Sequence, residues 1–274
     1  MRIGVFDSGI GGLTVLRTLA DALPGHDLVY LGDTARVPYG TRSPQTVIRY
    51  SLRVASYLYD QDVGAIVIAC NTATTWAMDA LQRAGQAVGV PVFGVVTPGV
   101  SAALKVHKTG AIAILGTEGT IAGGAYQRGL AAAHAGVTVI PVACPLLVPL
   151  AEEGWVTGDV PRGVAEHYLG GLRGQVDTAI LGCTHYPLLS SVIAEALPDV
   201  TLVDSAQETA NVVLKELGPG DDTNRSIRFL VTDHVERFKR VGATFFGTEP
   251  THVTWVDLPE PSGEFAAPSR TDTA

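Results

Sequence analysis

Apolar runs of about five residues alternate along this chain with stretches whose apolar positions recur every three or four residues. The runs fall near residues 2–6, 27–31, 64–69, 91–96, 111–115, 137–142, 177–182, 200–204, 227–231 and 252–256. Those ending at Ala69 and Gly182 carry no charge after their first residue, as expected of strands buried on both faces in a parallel sheet covered by helices. Helical stripes lie between the runs: Leu13, Leu16 and Leu19; Ile48, Leu52, Ala55 and Leu58; Ala73, Trp76, Ala77, Ala80 and Leu81; and Leu188, Leu189, Val192, Ile193, Ala196 and Leu197. A further helix is predicted at about 205–216. Ser43-Pro44 reads as an N-cap followed by proline at the first helical position.

One unit occurs twice, a buried strand that runs into a cysteine and a polar turn. The copies are Gly64-Ala65-Ile66-Val67-Ile68-Ala69-Cys70-Asn71-Thr72 and Asp177-Thr178-Ala179-Ile180-Leu181-Gly182-Cys183-Thr184-His185. A strand, small-residue turn and helix also recur, at Asp7-Ser8-Gly9-Ile10-Gly11-Gly12 and at Gly116-Thr117-Glu118-Gly119-Thr120. Asp7 and Thr117 are 110 positions apart, Cys70 and Cys183 113. The near-constant offset predicts two similar α/β domains with central, mostly parallel sheets and helices on both faces. Thr97-Pro98-Gly99 punctuates the chain at the start of the second. The expected division is 1–97 plus 208–258, with 98–207 between, the runs near 227–231 and 252–256 completing the first half. Residues 259–274, rich in Pro, Ser, Glu, Ala and Thr, are expected to be a disordered tail.

Composition narrows the function classes. With 274 residues, 46% hydrophobic and 17% charged, the chain can bury a core without disulfide staples. No apolar run approaches a membrane span, and Met1-Arg2-Ile3-Gly4 enters a strand without a signal peptide, so a cytoplasmic location is expected. The net charge of −8 argues against a nucleic-acid surface. Three cysteines without zinc spacing fit a reducing compartment and leave thiols free for chemistry. A small molecule is the expected partner.

Each repeated cysteine is predicted at a strand's carboxyl end, where open α/β sheets keep ligands. Each is also expected near a helix amino terminus, which favours thiolate. The loop 7–12 is a candidate anion cradle but no P-loop, since no Gly-Lys-Ser/Thr follows. As a dinucleotide fingerprint it has Thr14 at the third glycine position, although Asp33 could imitate the ribose-binding acid. Asp7 would repel a pyrophosphate and suit an ammonium group, favouring an amino-acid ligand. Cys144, before Pro145 in an apolar stretch, reads as packing. Glu152 and Glu153 read as a solvated helix end or as support for nearby acid–base groups. Two cysteines facing one pocket suit removal of a proton from one face of a stereocentre and its return on the other, with Asp7 and His185 assisting. A disulfide redox pair and a single cysteine nucleophile remain alternatives, the former lacking Cys-x-x-Cys spacing.

Phe-Asp-Ser-Gly-Ile-Gly-Gly at 6–12, Pro-Tyr-Gly at 38–40, Ala-Cys-Asn-Thr-Ala at 69–73, Leu-Gly-Thr-Glu-Gly-Thr at 115–120 and Leu-Gly-Cys-Thr-His-Tyr-Pro at 181–187 occur in one order. In these motifs, across about residues 2–258, the chain resembles the glutamate racemases of the aspartate/glutamate racemase superfamily. The resemblance implies an active site in the cleft between two α/β domains, racemisation of glutamate for peptidoglycan, no pyridoxal phosphate, no metal and a homodimer. It implies that Cys70 takes the proton from the D enantiomer and Cys183 from L-glutamate, with Asp7, His185 and Glu152 as helpers. Ser8, Tyr39, Gly40, Asn71, Thr72, Thr117, Thr120 and Thr184 would then hold the carboxylates and ammonium together with Asp7 and His185. Aspartate or hydantoin racemisation is the neighbouring alternative. A nucleotide-dependent oxidoreductase and an amino-acid-binding protein are the alternatives from other classes.

Overall fold

The structure, a computed structural model, describes residues 1–221 and 225–259; the tail expected at 259–274 lies almost wholly outside them. Among the described residues ten strands form two sheets: β1 (Arg2–Asp7), β2 (Asp27–Gly32), β3 (Ala65–Ile68), β4 (Val92–Gly94), β5 (Ala111–Gly116), β6 (Val139–Ala143), β7 (Val176–Gly182), β8 (Thr201–Val203), β9 (Ile227–Val231) and β10 (Val253–Trp255). The first sheet has the order β10-β9-β2-β1-β3-β4 and the second β6-β5-β7-β8. Every pairing is parallel. The second sheet thus repeats the four strands β2-β1-β3-β4 of the first in the same order, and β9 and β10 extend the first alone.

The helices are α1 (Leu13–Ala22), α2 (Pro44–Tyr59), α3 (Asn71–Val88), α4 (Val96–Val106), α5 (Glu118–Gly123), α6 (Ala125–Ala133), α7 (Leu147–Glu152), α8 (Asp159–Leu169), α9 (Ser190–Ala196), α10 (Ala206–Leu217) and α11 (Val235–Phe246). Because strand side chains alternate between faces, each sheet presents two apolar surfaces. Ile3, Val5, Leu28, Tyr30 and Val67 pack with Leu13, Leu16 and Leu19 of α1 and Phe238 of α11. On the opposite face Phe6, Val29, Leu31, Ile66 and Ile68 pack with Leu52, Ala55 and Leu58 of α2 and Ala73, Ala77 and Leu81 of α3. The second sheet is covered likewise, Ala113, Leu115 and Leu181 meeting α7, α8 and α9, and Ile112, Ile114 and Ile180 meeting α4 and α6. At about 25 cal/mol per Å² of apolar surface removed from water, these layers supply most of the drive to fold.

Local signals account for most boundaries. Ser43 caps α2, its hydroxyl accepting from Thr46 N–H at 3.3 Å, with Pro44 opening the helix. Two expectations need correction. Thr97-Pro98-Gly99 does not break the chain but lies in the first turn of α4, where proline's missing N–H costs nothing. The helix after Cys183 does not begin at once, since a 3₁₀ turn over Tyr186–Leu189 precedes α9. Pro187 has no N–H to reach back to Cys183, so the chain makes tighter bonds instead, Tyr186 N–H to Cys183 O at 3.1 Å and Leu188 N–H to His185 O at 3.2 Å.

Candidate active site

In each sheet the strand order reverses between the first and third strand of the repeat, β1 and β3 or β5 and β7. Open α/β sheets form a crevice at that point, beyond the carboxyl ends of the strands. Asp7 ends β1 and Ser8 follows it, and Cys70 follows β3; Thr117 follows β5 and Cys183 follows β7. The two crevices face one another across a cleft lined by Ser8, Val37, Pro38, Tyr39, Gly40, Cys70, Asn71, Thr72, Thr117, Val148, Gly182, Cys183, Thr184 and His185. Its free volume is about 30 Å³, far below the roughly 300 Å³ and upward of ordinary ligand pockets. Larger grooves of about 400 and 480 Å³ flank α4, and neither is lined by a cysteine.

Cys70 is the N-cap of α3, its sulfur accepting from Ala73 N–H at 3.4 Å while the thiol donates to Ser8 Oγ at 3.8 Å. The helix amino terminus does not win, however. Burial, reinforced by the nearby Asp7 carboxylate, pushes the Cys70 thiol up to about 12 despite the Ala73 and Ser8 contacts. Cys70 therefore keeps its proton at neutral pH.

Cys183 sits differently, with His185 Nδ1 3.7 Å from its sulfur. His185 Nε2 meets Glu152 Oε1 at 3.0 Å. Burial opposes the imidazolium, but the bonds to Cys183 and Glu152 outweigh it and raise His185 to about 10. The sulfur at 183 thus faces a cation. Glu152, also opposed by burial, is held below the usual carboxylate range by His185 and by Arg237, whose Nη1 and Nη2 each lie 3.1 Å from Oε2.

The other expected residues fall into a lining and a supporting layer. Thr72 Oγ1 lies 2.9 Å from Thr117 Oγ1 and 3.1 Å from Thr120 Oγ1, joining α3 to α5 across the cleft. Tyr126 donates to Asn71 Oδ1 at 2.7 Å. Thr184 donates to Asp7 Oδ2 at 3.4 Å, and Gly9 N–H to Oδ1 at 2.9 Å. Asp7 thus reaches Cys70 as a neighbouring charge, with its oxygens turned to Gly9 and Thr184; burial raises its carboxyl pKa. Asp7, Thr120 and Glu152 stand behind the lining, in contact with Thr184, Thr72 and His185. Tyr39 lines the cleft, but its hydroxyl donates to Asp33 Oδ2 at 2.7 Å.

Two features of the sequence find a different use here. A Cβ on Gly11 would overlap Thr184 Oγ1 and the His185 ring, so glycine in this loop admits the opposite lobe instead of a phosphate. Asp33, fully buried, accepts from Arg36 at 2.8 Å, Tyr39 at 2.7 Å and Thr232 at 2.9 Å, so both of its oxygens are tied into a buried structural network and neither is presented to a ribose. Cys144 is fully buried, as packing. Arg237 escaped sequence reasoning, because a charged run on a terminal helix reads as a solvated face. Among the described residues no three His, Cys, Asp or Glu side chains gather as metal ligands, and no helix is long and apolar enough to cross a membrane.

Two matched parallel lobes closing over one polar cleft, with a cysteine on either side, define a two-lobed α/β protein with its candidate site between the sheets. The chain belongs to the Asp/Glu/Hydantoin racemase family, whose sequence profile it matches over residues 3–213, and it is an enzyme. It is 48% identical to the glutamate racemase of Geobacter metallireducens over 93% of this chain and 96% of that one. It is 47% identical to the glutamate racemase of Aquifex aeolicus, over 91% and 95%. A crystal structure of glutamate racemase from Francisella tularensis in complex with D-glutamate superposes with a TM-score of 0.87 at 38% identity, covering 94% of this chain and 97% of that one.

Proposed function

We propose that the chain interconverts L- and D-glutamate by a two-thiol acid–base mechanism. The observation that carries the reading is the pair of cysteines at equivalent strand ends, facing one cleft from opposite lobes. Cys183 takes the α-proton of L-glutamate as an S–H bond forms and the Cα–H bond breaks. The electron pair left on Cα spreads into the α-carboxylate, and Cys70 delivers its own proton to the opposite face. The reverse reaction exchanges the roles. A protonated Cys70 opposite a Cys183 that faces an imidazolium is the form of the site that receives L-glutamate. Hydrogen-bond donors around the α-carboxylate, Asn71, Thr72, Thr117 and Thr184 among them, stabilise the carbanion, in a setting where fixed dipoles act more strongly than water.

Because the cleft's free volume is so small, the lobes part to load substrate and close to react. We take the moving units to be residues 1–97 with 208–258 and residues 98–207. On the family resemblance the proposal extends to a cytoplasmic homodimer that supplies D-glutamate for peptidoglycan. Glutamate is preferred to aspartate because both relatives cited by sequence carry that name. Proton NMR of each enantiomer in D₂O tests the reading. Loss of the α-proton signal with appearance of the opposite enantiomer is expected. Exchange of aspartate alone would keep the mechanism and change the substrate; silence with both would refute it.

A further inference from the structure

We propose that Arg237 is a positioning residue for the Cys183 half of the reaction, holding Glu152 where it orients His185 and doing so from the opposite lobe. The inference rests on the racemase reading above. Glu152 is the last residue of α7, the negative end of that helix, where a carboxylate is disfavoured. Glu153 adds a second negative charge beside it, 3.6 Å from Arg237. The two terminal guanidinium nitrogens of Arg237, Nη1 and Nη2, reach one Glu152 oxygen, leaving the other, Oε1, to His185 Nε2. Two donors set in one rigid guanidinium plane and converging on a single oxygen fix that oxygen's position as well as supplying charge. The imidazole is thereby turned so that its Nδ1 faces Cys183.

The same helix grips His185 at a second point. Phe245 stands eight residues, just over two turns, beyond Arg237 on α11, so the two side chains lie near the same face. The Phe245 ring meets the His185 ring edge-on at a centroid distance of 5.2 Å and an interplanar angle of 78°. α11 packs on α1 in the first lobe, whereas Glu152, Cys183 and His185 belong to the second. The histidine that serves Cys183 is therefore set by the first lobe, and only when the cleft is shut. The Cys70 sulfur is held instead by Ser8 and the Ala73 N–H, both in the first lobe.

The test uses the direction dependence of isotope effects. The equilibrium constant of a racemisation is one, so kcat/KM falls equally in both directions whatever is damaged. The substrate isotope effects separate the causes. In Arg237→Gln, kcat/KM is expected to fall about ten- to a hundredfold. With α-deuterated L-glutamate the isotope effect rises, since proton removal by Cys183 now limits the rate. With α-deuterated D-glutamate it falls toward unity, since removal by Cys70 precedes the slow delivery by Cys183. Arg237→Lys restores part of the rate, the charge returning without the rigid pair of donors. Arg237 is 37% exposed, so neither change opens a buried void, and thermal melting verifies the fold. Isotope effects unchanged or shifted alike in both directions, or wild-type rates in Arg237→Gln, would overturn the assignment. A wild-type chain that racemises neither enantiomer would instead overturn the reading beneath it.

Discussion

Gly40 of the first lobe packs directly on Thr117 of the second, and adding one methyl group there tests whether closure controls turnover. A Cβ on Gly40 would lie 2.7 Å from Thr117 Cβ, 2.9 Å from Cγ2 and 3.0 Å from Oγ1. Thr117 cannot swing away. It is β-branched and stiff, its hydroxyl bonds Thr72 at 2.9 Å and Thr120 at 3.0 Å, and it caps α5. Its neighbour Tyr39 is tied to the buried Asp33. To bring the 2.7 Å contact out to the 3.4 Å of ordinary packing, the lobes must part by about 0.7 Å. Displacements near 1 Å cost about a hundredfold in rate, so Gly40→Ala is expected to lose about ten- to a hundredfold in kcat/KM. With the lobes parting as proposed above, the clash is relieved without disturbing either core, so stability should change by less than about 1 kcal/mol. Initial rates for both enantiomers by circular dichroism, paired with thermal melts, measure the two effects. Wild-type kcat/KM would refute the argument, and so would a loss of activity that merely tracks a melting point lowered by many degrees.

Other substitutions probe separate parts of the site. Cys70→Ala and Cys183→Ala should each abolish racemisation with melting points near wild type; a few per cent of residual turnover would contradict the two-base assignment. His185 is raised to about 10 from an ordinary value of 6.5, so its stabilising charge is complete below pH 6.5 and lost as pH climbs through 10. The gap in melting temperature between wild type and His185→Asn should accordingly narrow from pH 7 to pH 10, and a constant gap would show that the charge contributes nothing. Asp33→Ala leaves Arg36, Tyr39 and Thr232 without their shared acceptor and should cost about 3 kcal/mol, seen as a melting point lower by roughly 5–10 °C; an unshifted melt would mean the three donors find water instead.

Much of this architecture is written in short-range patterns. The buried runs mark the strands because parallel sheets demand apolar residues on both faces, and Ser43-Pro44 marks a helix start because its hydroxyl has one amide to cap. Patterns of that range fail where a contact depends on the opposite lobe. Nothing near Gly11 says that Thr184 and His185 will press against it, and nothing near Arg237 says that Glu152 waits across the cleft. Pro187 stands inside an apolar period that continues into α9, so the period masks the tighter turn the proline imposes after Cys183. The competition at Cys70 was equally hidden: a helix terminus can be read from sequence, whereas the depth of burial that defeats it cannot.

The place of β9 in the first sheet bears on how the chain reaches its folded state. β2 pairs with β1 on one side and β9 on the other, with Leu28 opposite Ile227, and the sheet-end bond from Thr232 to Asp33 spans 199 positions. Until the last fifth of the chain arrives, Leu28–Leu31 present unpaired backbone N–H and C=O groups along a strand of hydrophobic side chains, the kind of template on which other chains add strands. Such long-range pairing forms slowly, and the exposed edge persists meanwhile. A nascent chain of this protein is thus most prone to aggregate just before it is finished, and truncation ahead of Ile227 should yield inclusion bodies in place of a soluble first lobe.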